Sequence, residues 1–192
     1  MDIIFLVGLP GSGKSTWRKE FCRRNPSYVV ISSDDLLEKW ARERGQSYRE
    51  VWLSSVKETA KYNFADLTKA LAEKRDIIID RTNLVPRGSE PDPLPPAAPR
   101  IRLERQNILD LVPDGYRRIA LVFEAPAEVI EARRQKRILD GEKTVPAEVI
   151  DIMRASYVPP QKGEFDIIST PDDFGARPQP GIQRARKGEP KI

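Results

Sequence analysis

Histidine is absent from this chain of 192 residues, and cysteine occurs only once, at Cys22. Without histidine, no imidazole can act as an acid, a base or a metal ligand. A single cysteine cannot form a disulfide within the chain, and a reducing compartment is therefore expected. Any general base must be a carboxylate, with lysine and tyrosine as weaker options.

Long hydrophobic runs are also missing. No apolar stretch approaches the roughly 20 residues that a membrane-spanning helix needs, and the N-terminal stretch does not resemble a secretory signal. We therefore expect an intracellular protein, cytoplasmic or nuclear, with no membrane partner. The net charge is +4, and residues 170–192 supply half of it. Such a small basic excess permits polyanion binding but does not argue for it.

The most informative pattern is near the N-terminus, where residues 8–16 read G-L-P-G-S-G-K-S-T directly after an apolar run at 3–7. This sequence matches G-x-x-x-x-G-K-[ST], whose backbone N–H groups surround phosphates at the start of a helix. Lys14 would reach the β- and γ-phosphates, and the Ser15 hydroxyl would ligate Mg²⁺. The chain is thus predicted to bind a nucleoside triphosphate through Gly8, Pro10, Gly11, Ser12, Gly13, Lys14, Ser15 and Thr16.

Five short apolar runs are predicted strands, at residues 3–7, 28–31, 77–79, 119–123 and 165–168. Helical patterns lie around and between them, at residues 14–24, 34–44, 47–74, 100–111, 127–139 and 146–157. Continuous apolar strands that alternate with helices favour a three-layer α/β/α domain with a five-stranded, mainly parallel sheet. Ligands of such sheets gather at the carboxyl ends of the strands.

Two segments interrupt this order, and both are predicted to be flexible. One is a proline-rich loop at 84–100, and the other is a basic tail rich in proline and glycine at 170–192. The expected organisation is one domain over residues 1–169, with the loop inside it and the tail after it.

Acidic residues follow the second predicted strand, where the chain reads S-S-D-D at 32–35. Asp34 is our preferred general base for an incoming hydroxyl, and Asp35 is the weaker candidate, which would contact the substrate. The alternative is that Ser33 or Asp34 only caps the following helix.

The third predicted strand ends in D-R-T-N at 80–83. Asp80 would contact the metal through water, as an acid at this position does in other phosphate-loop enzymes. Thr82 and Asn83 would hydrogen-bond the substrate or simply begin a turn, and the residues alone leave these two interpretations even.

A basic cluster lies at 133–144, which reads R-R-Q-K-R-I-L-D-G-E-K-T. Helical spacing places Arg133 and Arg137 on one face. This segment is interpreted either as a lid whose arginine closes on the transferring phosphoryl group or as a solvated basic face.

Together these motifs resemble the polynucleotide 5′-hydroxyl kinase family, both the phage-type enzymes and the kinase domains of DNA-repair kinase/phosphatases. The resemblance covers about residues 1–168 except the proline-rich loop. It rests on G-L-P-G-S-G-K-S-T-W at 8–17, D-D at 34–35, I-D-R-T-N-L at 79–84, the arginines at 133–137 and V-P-A-E-V-I-D-I-M at 145–153. It implies a P-loop kinase fold with a helical lid, ATP and Mg²⁺ as cofactors, and 5′-hydroxyl ends of RNA or DNA as substrates in nucleic acid repair.

The resemblance also implies individual roles. Asp34 would be the general base, Arg137 would stabilise the transition state with Arg133 in support, and Thr82 would orient the acceptor. Two positions depart from the phage-type pattern: Leu37 stands where those enzymes carry an arginine, and Arg81 where they carry an aspartate. Three residues at 138–140 also look inserted, so Arg133 is the alternative to Arg137.

The leading hypothesis is an ATP-dependent kinase of the 5′-hydroxyl end of RNA or DNA. No D-x-D-G-T phosphatase element and no K-x-D-G ligase element is present in the sequence. A kinase of a small metabolite is one alternative, and a non-catalytic nucleotide-binding module in RNA metabolism is the other.

Overall fold

The computed structural model describes residues 1–84 and 105–176. The predicted proline-rich loop, apart from its first residue, and the tail after residue 176 lie outside these ranges. The elements in chain order are β1 (Asp2–Val7), α1 (Lys14–Arg24), β2 (Val29–Ile31), α2 (Ser33–Arg44), α3 (Tyr48–Ala72), β3 (Ile77–Asp80), α4 (Arg105–Leu109), β4 (Arg117–Val122), α5 (Ala127–Leu139), α6 (Ala147–Ala155), β5 (Ile167–Ser169) and α7 (Pro171–Ala176).

The five strands form one sheet in the order β2-β3-β1-β4-β5, and all four neighbouring pairs are parallel. The central strand β1 is wholly buried, as its continuous apolar sequence predicts. The predicted fold class is confirmed, with a sheet that is entirely parallel. Because β1 lies between β3 and β4, the loop after β1 is flanked by the ends of both strands.

Helices cover both faces of the sheet. The odd-numbered residues of β1 join a core that includes side chains of α3 and α4. Its even-numbered residues Ile4 and Leu6 pack in a second core with Trp17 and Phe21 of α1 and Phe174 of α7. This alternation follows from the period of two along a strand, and it produces the three layers.

The predicted start of the basic tail at residue 170 is wrong for its first residues, because α7 occupies Pro171–Ala176. Phe174 is 3% exposed and packs against Trp17 and Phe21. One aromatic side chain among acidic and small residues carries too little periodic signal to predict this helix. Within the residues described, no helix is both long and apolar enough to span a bilayer.

Candidate active site

The loop between β1 and α1 approaches its neighbours too closely for side chains. Gly8 has a φ of +154°, and a Cβ there would lie 2.6 Å from the carbonyl oxygen of Phe123. Gly13 has a φ of +108° and is the N-cap residue directly before α1. The Gly8 N–H donates to the carbonyl of Thr82 at 3.0 Å, which fixes the loop against the end of β3. Glycine is required at both positions by the backbone itself.

The start of α1 fits an anion. No side chain caps this helix, and its first turn holds no acidic residue, so its N–H groups and the positive end of its dipole are free for a ligand. The Ser12 hydroxyl is buried in the same loop without a hydrogen-bond partner. A buried polar atom of this kind normally has a partner, and a phosphate oxygen would supply one.

Lys14 is buried, and its ammonium donates to the carbonyl oxygens of Gly8 at 2.7 Å and Leu9 at 2.8 Å. Burial lowers the pKa of Lys14 from 10.5 to about 8, although the charges of Asp80 and Asp34 raise it. The lysine is therefore still mainly protonated at neutral pH. It lies at the carboxyl end of the sheet, where it could neutralise phosphate charge.

Arg18 of α1 binds two of the predicted acidic residues. Its two terminal nitrogens pair with both carboxylate oxygens of Asp35, and its Nε lies 2.9 Å from Oδ2 of Asp80. Burial raises the pKa of Asp80, with Arg18 and Lys14 opposing the shift. Because Arg18 occupies both carboxylate oxygens of Asp35, neither is left for an incoming hydroxyl, and Asp34 becomes the stronger candidate.

Asp34 lies in the first turn of α2 but does not cap it. The cap is Ser32, whose hydroxyl accepts from the backbone N–H of Asp35 at 3.2 Å. The alternative in which Ser33 or Asp34 serves only as the cap is therefore wrong. The Asp34 side chain is 60% exposed and free to meet other groups.

Two side chains contact the same oxygen of Asp34. The Tyr48 hydroxyl donates to Oδ1 at 2.8 Å, and the Lys143 ammonium lies 2.5 Å from it. Lys143 also lies over the Tyr48 ring, 4.4 Å from its centroid. Partial burial raises the pKa of Asp34, but Lys143 and Tyr48 outweigh it and hold the pKa below its ordinary value.

The two predicted lid arginines both lie on α5. Arg133 donates from Nη1 to the carbonyl of Gly11 at 2.7 Å, which places its guanidinium on the phosphate loop. Nε of Arg137 lies 3.9 Å from Oε2 of Glu142, and the positive charge of Arg137 contributes to lowering the pKa of Lys14. Both arginines are thus within electrostatic reach of the loop, and Arg133 makes the direct contact.

Thr82 and Asn83 follow β3 beside the loop. Asn83 is 7% exposed, and its amide donates to the carbonyls of Leu6 at 2.9 Å and Ile79 at 3.2 Å. These bonds hold the end of β3 against β1, which favours the turn interpretation for Asn83. Thr82 is half-buried and contacts the loop through its carbonyl, so its role toward a substrate stays a prediction.

No group of three or more acidic or cysteine side chains that could hold a metal occurs in residues 1–84 and 105–176. Ser15 and Asp80 alone would not complete a magnesium shell, since this ion prefers six oxygen ligands and keeps several waters. The donor set fits Mg²⁺ that arrives with nucleotide phosphates.

Three residues of the site were not predicted from the sequence motifs: Arg18, Tyr48 and Lys143. Arg18 follows Lys14 by one helical turn, and this spacing on one face could have identified it. Lys143 lies in the basic segment at 133–144. Its contact with Asp34 could not be predicted, because the two residues are far apart in the chain. Nothing in the sequence around Tyr48 indicates its hydroxyl contact.

An open recess of about 450 Å³ adjoins the phosphate loop on the β4 side of β1. Its lining is mainly apolar and comes from the loop, the segment after β4 and the first turn of α5, with one residue each from the segments after β3 and α6. The residues include Leu9, Phe123, Glu124, Ile130 and Tyr157.

A family model described as AAA domain matches residues 3–160. Among solved structures, a chain of the Pnkp1/Rnl/Hen1 RNA repair complex has a TM-score of 0.55 and 23% identity, over 81% of this chain and 43% of that chain. This chain thus spans less than half of that one.

A protein of Chloroflexus aurantiacus J-10-fl with a provisional kinase name has a TM-score of 0.60 and 17% identity, over 88% of this chain and 84% of that one. A chain of the PezAT toxin–antitoxin system of Streptococcus pneumoniae has a TM-score of 0.54 and 13% identity, over 88% and 67% of the two chains. At these identities the likenesses show a shared P-loop kinase-like fold.

Proposed function

The chain belongs to the AAA domain family, and from that premise we propose that it is an ATP-dependent kinase that phosphorylates the 5′-hydroxyl end of RNA or DNA. The observation that carries the proposal is the placement of Asp34. Its carboxylate follows β2 at the same edge of the sheet as the phosphate loop, and it interacts electrostatically with Lys14. A module that only bound nucleotide would have no use for a carboxylate there.

Each residue has a defined task in this reaction. Bound Mg²⁺–ATP supplies the γ-phosphoryl group. Lys14 and Arg133, with Arg137, neutralise negative charge on the phosphates. Oδ1 of Asp34 is already engaged by Tyr48 and Lys143, which leaves Oδ2 to accept the proton of the attacking hydroxyl.

The choice of a polynucleotide acceptor rests on the quoted motifs. The D-D pair at 34–35 and the I-D-R-T-N-L stretch at 79–84 resemble the polynucleotide kinase family and come together at the acceptor side of the site. A chain of an RNA repair complex has a similar fold, and this likeness is compatible with a polynucleotide acceptor.

A transfer assay tests the proposal. The protein is given labelled ATP, Mg²⁺ and 5′-hydroxyl oligonucleotides of RNA and of DNA. We expect labelled oligonucleotide from the native chain. Asp34→Asn should reduce transfer by about 100-fold or more, because a positioned base contributes 10²–10⁴-fold, while ATP binding persists.

The matched control is Asp66→Asn, which makes the same change at an exposed position of α3 and should leave transfer unchanged. ATP binding without transfer to any oligonucleotide would overturn the proposal and leave a metabolite kinase or a passive binder.

A small-metabolite kinase is the second candidate, and one observation favours it. Leu37 stands where phage-type enzymes carry an acceptor-side arginine, and here it is 1% exposed in an apolar cluster with Val51. That position therefore cannot contact a nucleic acid strand. Testing sugars and other small alcohols in the same assay separates the two candidates.

A further inference from the structure

Arg81 is a half-buried cation that has no role in the proposed transfer reaction. Its Nη1 is inaccessible to solvent and has no hydrogen-bond partner. No carboxylate within residues 1–84 and 105–176 forms an ion pair with its guanidinium. Arg18, by comparison, is paired with two carboxylates.

A guanidinium with a buried nitrogen that lacks a hydrogen-bond partner is unfavourable to folding. The buried donor loses its hydrogen bond to water and gains none from the protein, so an apolar residue of similar size would serve the fold better. Burial lowers the pKa of Arg81, and only the Asp34 carboxylate opposes this shift. A group that is unfavourable to the fold is typical of a functional site.

The position of Arg81 indicates which ligand it would meet. It directly follows β3, between Asp80 and Thr82, and Thr82 contacts the first residue of the phosphate loop. The sheet order places β3 and β2 on one side of β1, and β4, which leads to α5, on the other. Arg81 and Asp34 thus lie on the side opposite to Arg133, which contacts the loop from α5.

We propose that Arg81 binds an anionic group of the acceptor, and that the acceptor is an alcohol that also carries a phosphate. A 5′-terminal nucleoside in a strand fits this description, because its 5′-hydroxyl is free while its 3′-oxygen bears a phosphodiester. A guanidinium presents paired N–H donors that match phosphate oxygens. The inference rests on the proposed function and names the part of the acceptor that is recognised.

The test compares two acceptors that differ in one non-bridging group of the linkage and therefore in charge. One is a dinucleotide with a natural phosphodiester, and the other is the same dinucleotide with a neutral methylphosphonate linkage. The native protein should use the charged acceptor with a kcat/KM about 10- to 100-fold higher, the range for hydrogen bonds to charged groups. Arg81→Met should reduce this preference to less than about 3-fold, and Arg81→Lys should retain part of it.

Two further measurements exclude a merely structural role for Arg81. The KM for ATP should be unchanged in Arg81→Met, and its melting temperature should equal or exceed that of the native protein, because the buried nitrogen without a partner is gone. The matched control is Arg42→Met, which removes the same charge at an exposed position of α2. This variant should keep the native preference between the two acceptors.

The outcomes separate this inference from the proposed function. If Arg81→Met lowers activity equally with both dinucleotides, the inference is wrong while the kinase assignment stands. If no oligonucleotide is phosphorylated, the proposed function fails, and calorimetric titration with ribose and ribose 5-phosphate tests Arg81 alone. Tighter binding of the phosphate form that is lost in Arg81→Met supports the inference, and equal or undetectable binding of both probes overturns it.

Discussion

At the scale of single residues, the two contacts on Asp34 determine when its carboxylate is ionised. A general base must be deprotonated before the acceptor hydroxyl arrives, and a neighbouring cation keeps it so at lower pH. Lys143 is that cation, and Tyr48 holds the same oxygen in place. Lys143 lies in the segment between α5 and α6, so the segment predicted to form a lid also affects the charge state of the proposed base.

Lys143→Met should move the acidic limb of the transfer reaction to higher pH. Burial raises the pKa of Asp34, and Lys143 is the main group that lowers it, so removing the ammonium lets the pKa rise. Activity is lost as pH falls through this pKa, and the loss should therefore begin at higher pH in the variant. The measurement is a pH profile of kcat/KM for the acceptor.

Lys136→Met is the control for this prediction, since it removes the same charge from an exposed position of α5. Its profile should overlay that of the native protein. A Lys143→Met profile that falls in parallel at every pH, without a displaced limb, would assign Lys143 to substrate binding instead.

At the scale of elements, α1 follows the phosphate loop and also connects two other parts of the site. Its Arg18 joins α1 to α2 through Asp35 and to β3 through Asp80. These contacts bring the helix that would bind phosphate, the helix that carries Asp34 and the strand that precedes Arg81 into one network. The geometry of the candidate site therefore depends on a residue that would touch neither substrate.

Arg18→Met should lower the free energy of unfolding by about 3 kcal/mol, because breaking a buried ion pair leaves an uncompensated charge. The Asp80 side chain that loses its partner is only 9% exposed. Urea denaturation at neutral pH measures this loss.

The stability lost in Arg18→Met should become smaller as the pH is lowered. Burial already raises the pKa of Asp80, and without Arg18 it rises further, so the folded variant takes up a proton before the unfolded chain does. The double variant Arg18→Met/Asp80→Asn should recover part of the stability. If it is no more stable than Arg18→Met alone, the ion pair is not the cause.

The helices that carry the site could largely be predicted from the sequence. The bounds of α1 and α5 agree with their predictions, because each has clear flanking signals and a helical pattern of its own. The sequence favours Asp34 over Asp35 as the base, but both occupy the first turn of α2, and the contacts that distinguish them could not be predicted. Those contacts, made by Arg18 with Asp35 and by Lys143 with Asp34, form only after the chain has folded.

At the scale of the whole molecule, a buried arginine at the start of α4 connects distant segments of the chain. Arg105 donates to both carboxylate oxygens of Glu164 and to the carbonyls of Asn83 and Val158. It thereby joins the end of β3 to the segments that follow α6 and precede β5. The same Asn83 holds β3 against β1, so this contact supports the edge of the sheet where Arg81 lies.

Arg105→Met should lower the free energy of unfolding by about 3–5 kcal/mol, the cost of breaking a buried pair. The matched control is Arg154→Met, which breaks another arginine–carboxylate pair, with Asp151. The side chains are 0% and 16% exposed in the Arg105–Glu164 pair but 45% and 70% exposed in the Arg154–Asp151 pair. The control should lose less than about 1 kcal/mol, because water already solvates an exposed pair. Equal losses in urea denaturation would show that Arg105 does not hold these segments together.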